Sequence, residues 1–438
     1  MNLIEYTNKY PVKDYSKEEN LIAKNKKPFN AFSFLNGTKK SFYNEDIRKN
    51  PIPLFIELEK FRKVGELGKS DILYGLETNN KDGLVLTDPE IIKKFKGLVG
   101  EIISQLFKAL MGKPISLPVK IFEPKSTLSR ICDYWLFAPK LLNKATKEDD
   151  NLKRFKIVIA FAVAGLYTNA KQLKPFNPLL GETFEGEFLN DGAKIYCEHI
   201  SHHPTISSFY LSGKDKKYYL SASFEFVTNS STSFNPTVRI SQKGPVKICF
   251  NNKDIIEYNM PVVRLNNTGS EKNRSSNWID EMIFVDIKNN LKAIISFGKN
   301  DKNVHEFSGG IFHETFPLGY VFNNSQIEKE KESKNIKKCM KNEMINKISG
   351  SWLKGIYFDE EELWSIDRDI PTAIIPNEVV LPSDGRYRED LIWLFNSWET
   401  DNEEVKKKYE QYSQTWKMMI EDVQRKDRKE RKDKKPKK

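Results

Sequence analysis

Two adjacent histidines, His202 and His203, are the first residues that could do chemistry, and a proline follows them. Neighbouring residues on a strand point to opposite faces, so these two imidazoles are poor ligands for one metal ion. His199 and His203 could share a face, but no Cys, Asp or Glu at a ligand spacing completes a metal site. Two imidazoles at a bend can instead donate hydrogen bonds to phosphate oxygens, more strongly when they are protonated. The pair therefore favours an anion site over a metal site.

A second segment, Lys174–Glu185 (KPFNPLLGETFE), contains two prolines and one glycine. These residues interrupt regular structure, so the segment predicts an ordered, irregular connection between a helix and a sheet. Lys174 precedes a proline and is biased toward an extended conformation. A cation held on a rigid turn is well placed to meet a phosphate, although an ordinary helix-to-strand loop has the same composition.

The third candidate is a charged triplet near the end of the chain. Lys417, Glu421 and Arg425 are spaced four residues apart, so a helix places them on one face. Glu421 could then hold both cations in position. Spacing alone favours the plainer interpretation, which is a surface ion-pair ladder of small energetic value.

Helical patterns precede the sheet that must position these residues. Asp88 is a good N-cap, and apolar residues recur at helical period from there to Gly112. This amphipathic helix is either packed on the core or a mobile lid that senses membranes. Residues 128–142 and 152–171 also predict helices, and Ile157–Leu166 is apolar on nearly all sides, which indicates burial.

Beyond about residue 183 the sequence becomes rich in strand patterns separated by turn residues. Many strands at short spacing predict a large antiparallel sheet, closed or nearly closed, which can enclose a ligand cavity. Residues 324–347 are highly charged and predict a surface loop with a helical turn. The clearest strand patterns are Ala193–Ile200, Tyr218–Phe226, Val246–Phe250, Met282–Ile287 and Leu291–Phe297.

Charge and cysteine content limit the cellular setting. The net charge is +11, and the last 14 residues, 425–438, contain ten basic and three acidic side chains, which is +7 of that total. Such a tail attracts anionic lipid or nucleic acid, unless it is only a solvated end. Four scattered cysteines without a CxxC pair fit a reducing cytosol. No secretory signal is evident, and the longest apolar run, Ile157–Tyr167, is shorter than the ~20 residues that span a bilayer.

KPFNPLLGETFE together with EHISHHP (Glu198–Pro204) resembles the signature of the oxysterol-binding protein family. SLPVKIFEP (Ser116–Pro124), LPSDGRYRED (Leu381–Asp390) and EDVQRKDRKE (Glu421–Glu430) resemble further segments of that family, in the same order. The resemblance covers about residues 95–430. One departure is Thr205, which stands where the family usually has a second proline.

The resemblance implies an α+β, mainly β fold: a near-closed antiparallel β-barrel around a hydrophobic tunnel, with an N-terminal lid helix and flanking helices. It implies four regions: residues 1–87 of unknown role, a lid at 88–114, the lipid-binding domain at 115–424, and the basic tail at 425–438. No lipid-binding module precedes the domain, which is typical of a short-form member.

The family's shared ligand is phosphatidylinositol 4-phosphate, and sterol or phosphatidylserine is the second lipid. No cofactor or metal is implied, and the setting is cytoplasmic, in peripheral contact with anionic membranes at organelle contact sites. Carried over by position, the headgroup residues are Lys174, Asn177, His202, His203, Lys417, Glu421 and Arg425.

Three other functions remain as alternatives. A lipid sensor would bind the same ligand without transporting it, and sequence does not separate the two. A lipid-modifying enzyme would need a nucleophile with a base, but no G-x-S-x-G elbow or other catalytic spacing is present. A nucleic-acid binder would depend on the basic tail, and we expect no such activity.

Overall fold

The computed structural model describes residues 73, 75–97, 122–168, 173–231, 237–251, 254–270, 273–340, 342–377, 381 and 383–385. Strands dominate these residues. In chain order they are β1 (Leu76–Asn79), β2 (Gly83–Leu86), β3 (Phe122–Ser126), β4 (Lys174–Phe176), β5 (Thr183–Phe188), β6 (Lys194–His202), β7 (Thr205–Ser212), β8 (Tyr218–Ser230), β9 (Val238–Lys243), β10 (Pro245–Phe250), β11 (Ile255–Asn259), β12 (Val262–Asn266), β13 (Ser275–Asp286), β14 (Leu291–Phe297), β15 (Glu306–His313), β16 (Met344–Ser351), β17 (Gly355–Phe358), β18 (Glu361–Ser365) and β19 (Ile374–Pro376).

All of these strands except β3 and β4 form one 17-stranded sheet, whose strand pairs are antiparallel. Consecutive strands pair from β5 to β8 and again from β13 to β18. The two longest strands each pair, along one edge, with two shorter strands. β8 pairs with β10 and then with β9, and β13 pairs with β12 and then with β11. The predicted mainly β, antiparallel fold is therefore confirmed, while the hydrophobic tunnel stays a prediction.

Side chains alternate along the strands, as the period of two requires. In β6, Ile195, Cys197 and His199 are buried, whereas the residues between them are exposed. In β13, both faces are buried: Met282 and Phe284 face the main core, and Ile283 and Val285 belong to a second cluster on the opposite face. The sheet is thus packed on one side along most strands and on both sides at β13.

The hairpin of β1 and β2 belongs to the same sheet. Val85 and Leu84 of β2 pair with Ser275 and Ser276 of β13. Asn80, in the hairpin turn, accepts a hydrogen bond at its Oδ1 atom from the Nε2 atom of His305, at 2.9 Å. Residues 76–86 therefore belong to the sheet, and the domain boundary placed after residue 87 stays a prediction.

The helices are short, with one exception. They are α1 (Pro89–Lys94), α2 (Thr127–Cys132), α3 (Asn143–Ala145), α4 (Asn151–Thr168), α5 (Asn324–Lys331) and α6 (Ser333–Cys339), with a π-helical turn at Ala138–Leu142 and 3-10 turns at Asp133–Trp135 and Lys214–Lys216.

Helix α4 lies in the main core, as its all-round apolar sequence predicts. Every residue from Ile157 to Thr168 is buried. Gly165 allows the helix to touch the preceding segment, since a Cβ added there would lie only 2.0 Å from the carbonyl oxygen of Tyr134. Close packing at this glycine fixes the helical segments against each other.

Two predicted elements differ from the structure. The helix expected from Asp88 to Gly112 does begin as predicted, because the Ile91 amide donates to Asp88 Oδ1 at 2.9 Å. It ends at Lys94, however, and Gly97 adopts a φ of +73°, a left-handed conformation that interrupts a helix. Residues 98–121, including the rest of the predicted lid, lie outside the described residues.

The prediction of a surface loop with a helical turn for the charged residues 324–347 is wrong, because residues 324–339 form the two helices α5 and α6. Ile327 and Cys339 are buried against the second face of β13 and β14. Lys292 of β14, itself buried, donates to Glu330 Oε2 at 2.6 Å. Two buried apolar side chains and one ion pair hold the helices against the sheet. Two apolar residues among so many charged ones do not form a pattern from which a packed helix could be predicted.

The strand registers define two opposite ends of the sheet. We call the end that holds His202 and Thr205 the histidine end. At the other end, the far end, β6 begins at Lys194, opposite the last residue of β7. β8 begins at the far end, because Tyr219 pairs with Ser212, and the end of β10 and the start of β11 lie beside it. β13 runs antiparallel to β11, so β13 ends, and the β13–β14 turn lies, at the far end as well. Leu291 pairs with His313, so residues 314–323, which follow β15, also start there. Among the described residues, no helix is long and apolar enough to cross a membrane.

Candidate functional site

The pairing of β5 with β6 brings the two signature segments of the sequence together. Thr183 pairs with Glu198. Beyond the end of β5, the Gly181 amide donates to the carbonyl oxygen of His199 at 2.9 Å, and the His199 amide donates to the carbonyl oxygen of Glu182 at 2.9 Å. The connection that contains Lys174 and Asn177 therefore lies against the strand that ends in the histidine pair.

Lys174 and Asn177, two of the predicted headgroup residues, contact each other. Lys174 Nζ donates to Asn177 Oδ1 at 2.6 Å and to the carbonyl oxygen of Pro175 at 3.1 Å. The same ammonium group lies 4.8 Å from the centroid of the Phe122 ring, within range of a cation–π interaction. These contacts hold the ammonium group of Lys174 beside the exposed amide of Asn177.

Both histidines of the pair are exposed at the tip of the β6–β7 hairpin. Their rings pack edge to face, with centroids 5.0 Å apart. Thr205 closes the hairpin, because its hydroxyl donates to the carbonyl oxygen of His202 at 3.1 Å. The threonine that replaces the family's usual proline therefore takes part in the turn and leaves both imidazoles accessible.

A third histidine, His199, supports the pair from inside the sheet. It is buried, its Nδ1 atom lies 3.0 Å from Ser207 Oγ, and its Nε2 atom lies 3.3 Å from Nδ1 of His202. Burial, and then the charge of His202, lower the pKa of His199. A neutral His199 that donates through Nδ1 to Ser207 can accept from His202 at Nε2. This contact holds the His202 ring in place at the hairpin tip.

Glu182 is the internal support of the site. Its side chain is buried and accepts hydrogen bonds from Ser126 Oγ and from the Leu179 amide, the latter at 2.9 Å. Ser126 is also the N-cap of α2. One carboxylate thus joins the irregular connection, β5 and α2. Glu182 has no predicted role from its motif; an acidic residue directly after two leucines and a glycine was the available signal.

A distant third segment joins the same place. The Thr183 amide donates to the carbonyl oxygen of Ser383 at 3.0 Å, and the hydroxyls of Thr183 and Ser383 are 3.0 Å apart. Asp384 forms a parallel bridge with Thr183 and is buried. The start of LPSDGRYRED therefore lies against the end of KPFNPLLGETFE, a contact that spacing along the chain could not predict.

Three of the predicted headgroup residues cannot be located in this way. Lys417, Glu421 and Arg425 lie outside the described residues. Of the predicted set, the structure places Lys174, Asn177, His202 and His203, and it brings their two segments together. Across the described part of the chain, no three His, Cys, Asp or Glu side chains are grouped as metal ligands.

Comparison with known proteins identifies the family. The sequence profile described as "Oxysterol-binding protein" matches residues 103–438. The chain is 33% identical over 361 residues to "Oxysterol-binding protein 9" of Dictyostelium discoideum, a match that covers 80% of this chain and 79% of that protein. It is 28% identical over 257 residues to mouse "Oxysterol-binding protein-related protein 5", of which it spans 28%.

Two solved structures share the fold. The Osh3 ORD of Saccharomyces cerevisiae in complex with PI(4)P superposes with a TM-score of 0.54 at 20% identity, over 82% of this chain and 89% of that one. The Osh1 ORD in complex with ergosterol gives 0.53 at 19% identity, over 87% and 89%. With the family profile, the signature segments and the antiparallel sheet in agreement, the chain belongs to the oxysterol-binding protein family, whose members bind lipids and are not enzymes.

Proposed function

We propose that this protein carries phosphatidylinositol 4-phosphate and exchanges it between membranes for a second lipid, a sterol or phosphatidylserine. The headgroup would bind at Lys174, Asn177, His202 and His203, with Lys417, Glu421 and Arg425 completing the site. The protein would work at the cytoplasmic face of organelle contact sites, in peripheral contact with anionic membranes.

The observation that carries this proposal is the contact between the two signature segments. The backbone hydrogen bonds of His199 with Gly181 and Glu182 join the segment that carries Lys174 to the strand that ends in the histidine pair. A multiply charged phosphate headgroup is costly to bury without partners, so it should sit at an opening where several fixed donors meet it. The contact between Nε2 of His199 and Nδ1 of His202, at 3.3 Å, would orient the His202 ring toward the phosphate.

The acyl chains would be driven inward by the hydrophobic effect. Each CH₂ group that leaves water contributes about 0.8 kcal/mol, so a tunnel inside the sheet could compensate for extraction from a bilayer. Two lipids that compete for one tunnel exclude each other, and exchange then needs no chemical step. The related Osh1 ORD was solved with ergosterol and with cholesterol, which supports a sterol as one candidate for the second lipid.

The test is a liposome extraction assay with labelled phosphatidylinositol 4-phosphate, comparing wild type with the His202→Ala/His203→Ala double variant. We expect extraction by wild type and its loss in the variant, whose folding is checked by circular dichroism. His313→Ala is a matched control, since it removes an exposed histidine at the far end of the sheet. Failure of folded wild type to extract the lipid would reject the phosphoinositide assignment.

A lipid sensor remains the second candidate, because the same site would serve it. A transfer assay between donor and acceptor vesicles separates the two functions. A carrier moves labelled lipid to the acceptor at a rate that rises when the second lipid is supplied there, whereas a sensor extracts lipid without that movement.

A further inference from the structure

We use the name headgroup corner for the place where residues 181–183, 199–203 and 383–384 meet. Four exposed, large apolar side chains lie on or next to these segments. Leu179 is 47% exposed, Leu180 68%, Ile200 47% and Leu381 52%. Each belongs to one of the three segments that the hydrogen bonds of Gly181, His199 and Thr183 join. Scattered apolar residues on a surface are ordinary, but these four lie on three segments that hydrogen bonds hold together.

The backbone holds the two most prominent leucines outward on a rigid turn. Glu182 N donates to the carbonyl oxygen of Leu179 at 2.9 Å, and the side chain of Glu182 accepts from the Leu179 amide. Gly181 has a φ of +79°, which a glycine adopts without strain. Pro178, just before the turn, is buried. Turns usually have small polar residues at such positions. Here the fixed turn has two leucines instead, so their apolar side chains stay exposed to water, which is unfavourable.

The other two residues lie beside this turn. Ile200 directly follows His199, whose carbonyl oxygen accepts from the Gly181 amide. Leu381 precedes Ser383 and Asp384, which contact Thr183, and its carbonyl oxygen accepts from the Asp384 amide at 2.9 Å. The histidine pair follows Ile200 on the same strand, so the apolar surface and the anion-binding groups occupy one end of the sheet.

We propose that Leu179, Leu180, Ile200 and Leu381 form an apolar rim that inserts into the surface of a lipid bilayer and docks the headgroup corner on the membrane. This inference rests on the proposed lipid-carrier function and names the surface that it would use. The occupant is a bilayer because two of the segments that carry the rim also carry Lys174 and the histidine pair, the groups proposed to meet the lipid phosphates. Apolar side chains that enter the acyl boundary beside groups that attract lipid phosphates form the pattern of an interfacial anchor.

The rim would also set the geometry of extraction. A phosphoinositide headgroup stands in the interfacial layer, and its chains lie directly below it. A rim that penetrates by the length of a leucine side chain would bring Lys174 and the histidines to the level of the phosphates. The lipid could then move into the protein with little exposure of its chains to water, which is the main cost of leaving the bilayer.

The test compares two double variants in a vesicle co-flotation assay. Leu179→Asn/Leu180→Asn removes the tip of the rim. Leu318→Asn/Val321→Asn is the matched control, because these two exposed apolar residues follow β15 at the far end of the sheet. The vesicles contain phosphatidylcholine and phosphatidylserine without phosphoinositide, so docking is measured separately from headgroup recognition. Binding of the soluble headgroup, inositol 1,4-bisphosphate, is measured in parallel by calorimetry.

We expect the rim variant to bind vesicles at least about 10-fold more weakly than wild type, from the apolar area lost. We expect the control to bind vesicles normally, and both variants to bind the soluble headgroup normally. Unchanged vesicle binding by the rim variant, or an equal loss in the control, would overturn the proposal. Loss of soluble headgroup binding in the folded rim variant would also overturn it, since the leucines would then belong to the ligand site or hold a segment of this chain.

The two proposals fail in different ways. If wild type does not bind the soluble headgroup but the rim variant still detaches from vesicles, the rim survives and the phosphoinositide assignment fails. Leu180→Asn alone serves where the double variant does not fold, because Leu180 is the most exposed of the four.

Discussion

Replacing Glu182 with alanine tests whether one buried carboxylate holds the headgroup corner together. Glu182 accepts from Ser126 Oγ and from the Leu179 amide, and both donors lose this acceptor in Glu182→Ala. Hydrogen bonds to a charged group contribute about 1.5–3 kcal/mol each, so we expect a loss of about 3–6 kcal/mol in the free energy of unfolding. Glu182→Gln keeps a carbonyl acceptor and should lose about half as much.

The measurement is urea-induced unfolding followed by tryptophan fluorescence, together with calorimetric binding of inositol 1,4-bisphosphate. Domains are typically stable by about 5–15 kcal/mol, so the alanine variant should still fold without urea. In that folded state the turn at Leu179–Gly181 loses its internal anchor, and headgroup affinity should fall at least about 10-fold, which equals about 1.4 kcal/mol.

Glu187→Ala, on the strand β5 that directly follows Glu182, is the control. Glu187 is about half exposed, and its ion pair with Lys194 is long, at 3.8 Å. Such a pair contributes about 0–1 kcal/mol, so this variant should unfold and bind nearly as wild type does. The reasoning is refuted if Glu182→Ala loses less than about 1 kcal/mol, or if it loses stability while headgroup binding is unchanged.

Three further predictions concern the fold around the site. Gly165→Ala should destabilise the protein by about 1–3 kcal/mol, because the new Cβ would clash with the backbone carbonyl of Tyr134. The same change in an ordinary helix interior stabilises by about 1 kcal/mol. Thermal unfolding shows whether the melting temperature falls or rises. Arg154→Met should cost about 1.5–3 kcal/mol in urea unfolding, since buried Asp254 loses its guanidinium partner and keeps its ion pair with Lys288. Lys334→Ala, in an exposed pair, should change stability by less than about 1 kcal/mol. Burial lowers the pKa of His199 and of His305 below the ordinary 6.5, so their contribution to stability is complete above that pH and is lost as the pH falls below it. The urea midpoint should therefore drop between neutral pH and pH about 5, and a His199→Asn variant should show a smaller drop; a midpoint independent of pH in this range would contradict the account.

The sequence predicted what local chemistry controls. Alternation identified β6 and β14 almost to the residue, and the all-round apolar pattern identified the buried helix α4. The irregular connection after Lys174 followed from its prolines and glycine. Long motifs then identified the family, which the sequence profile confirms. The positions of Lys174, Asn177 and the histidine pair in the headgroup site, with Lys417, Glu421 and Arg425, stay predictions.

Tertiary contacts decided the rest. Periodicity extended the first helix past Gly97, but a left-handed glycine interrupts it. Charges hid α5 and α6, whose docking depends on Ile327 and Cys339 meeting a sheet face formed far earlier in the chain. The role of Glu182 likewise arises only when Ser126 is brought to it, and no local pattern encodes that contact. The hairpin of β1 and β2 was missed because its pairing partner, β13, is almost 200 residues away.

The headgroup corner is built from segments that are far apart in the chain, and this has a consequence for how the protein matures. Ser126 and Glu182 are 56 residues apart, and Thr183 and Ser383 are 200 apart. Contacts of such separation form late, because the entropy of closing long loops must first be overcome. During synthesis the corner cannot be completed until residue 383 has left the ribosome. The empty corner should therefore be among the last parts of the sheet to become ordered, and a bound anionic lipid would act on newly made chains as a folding ligand.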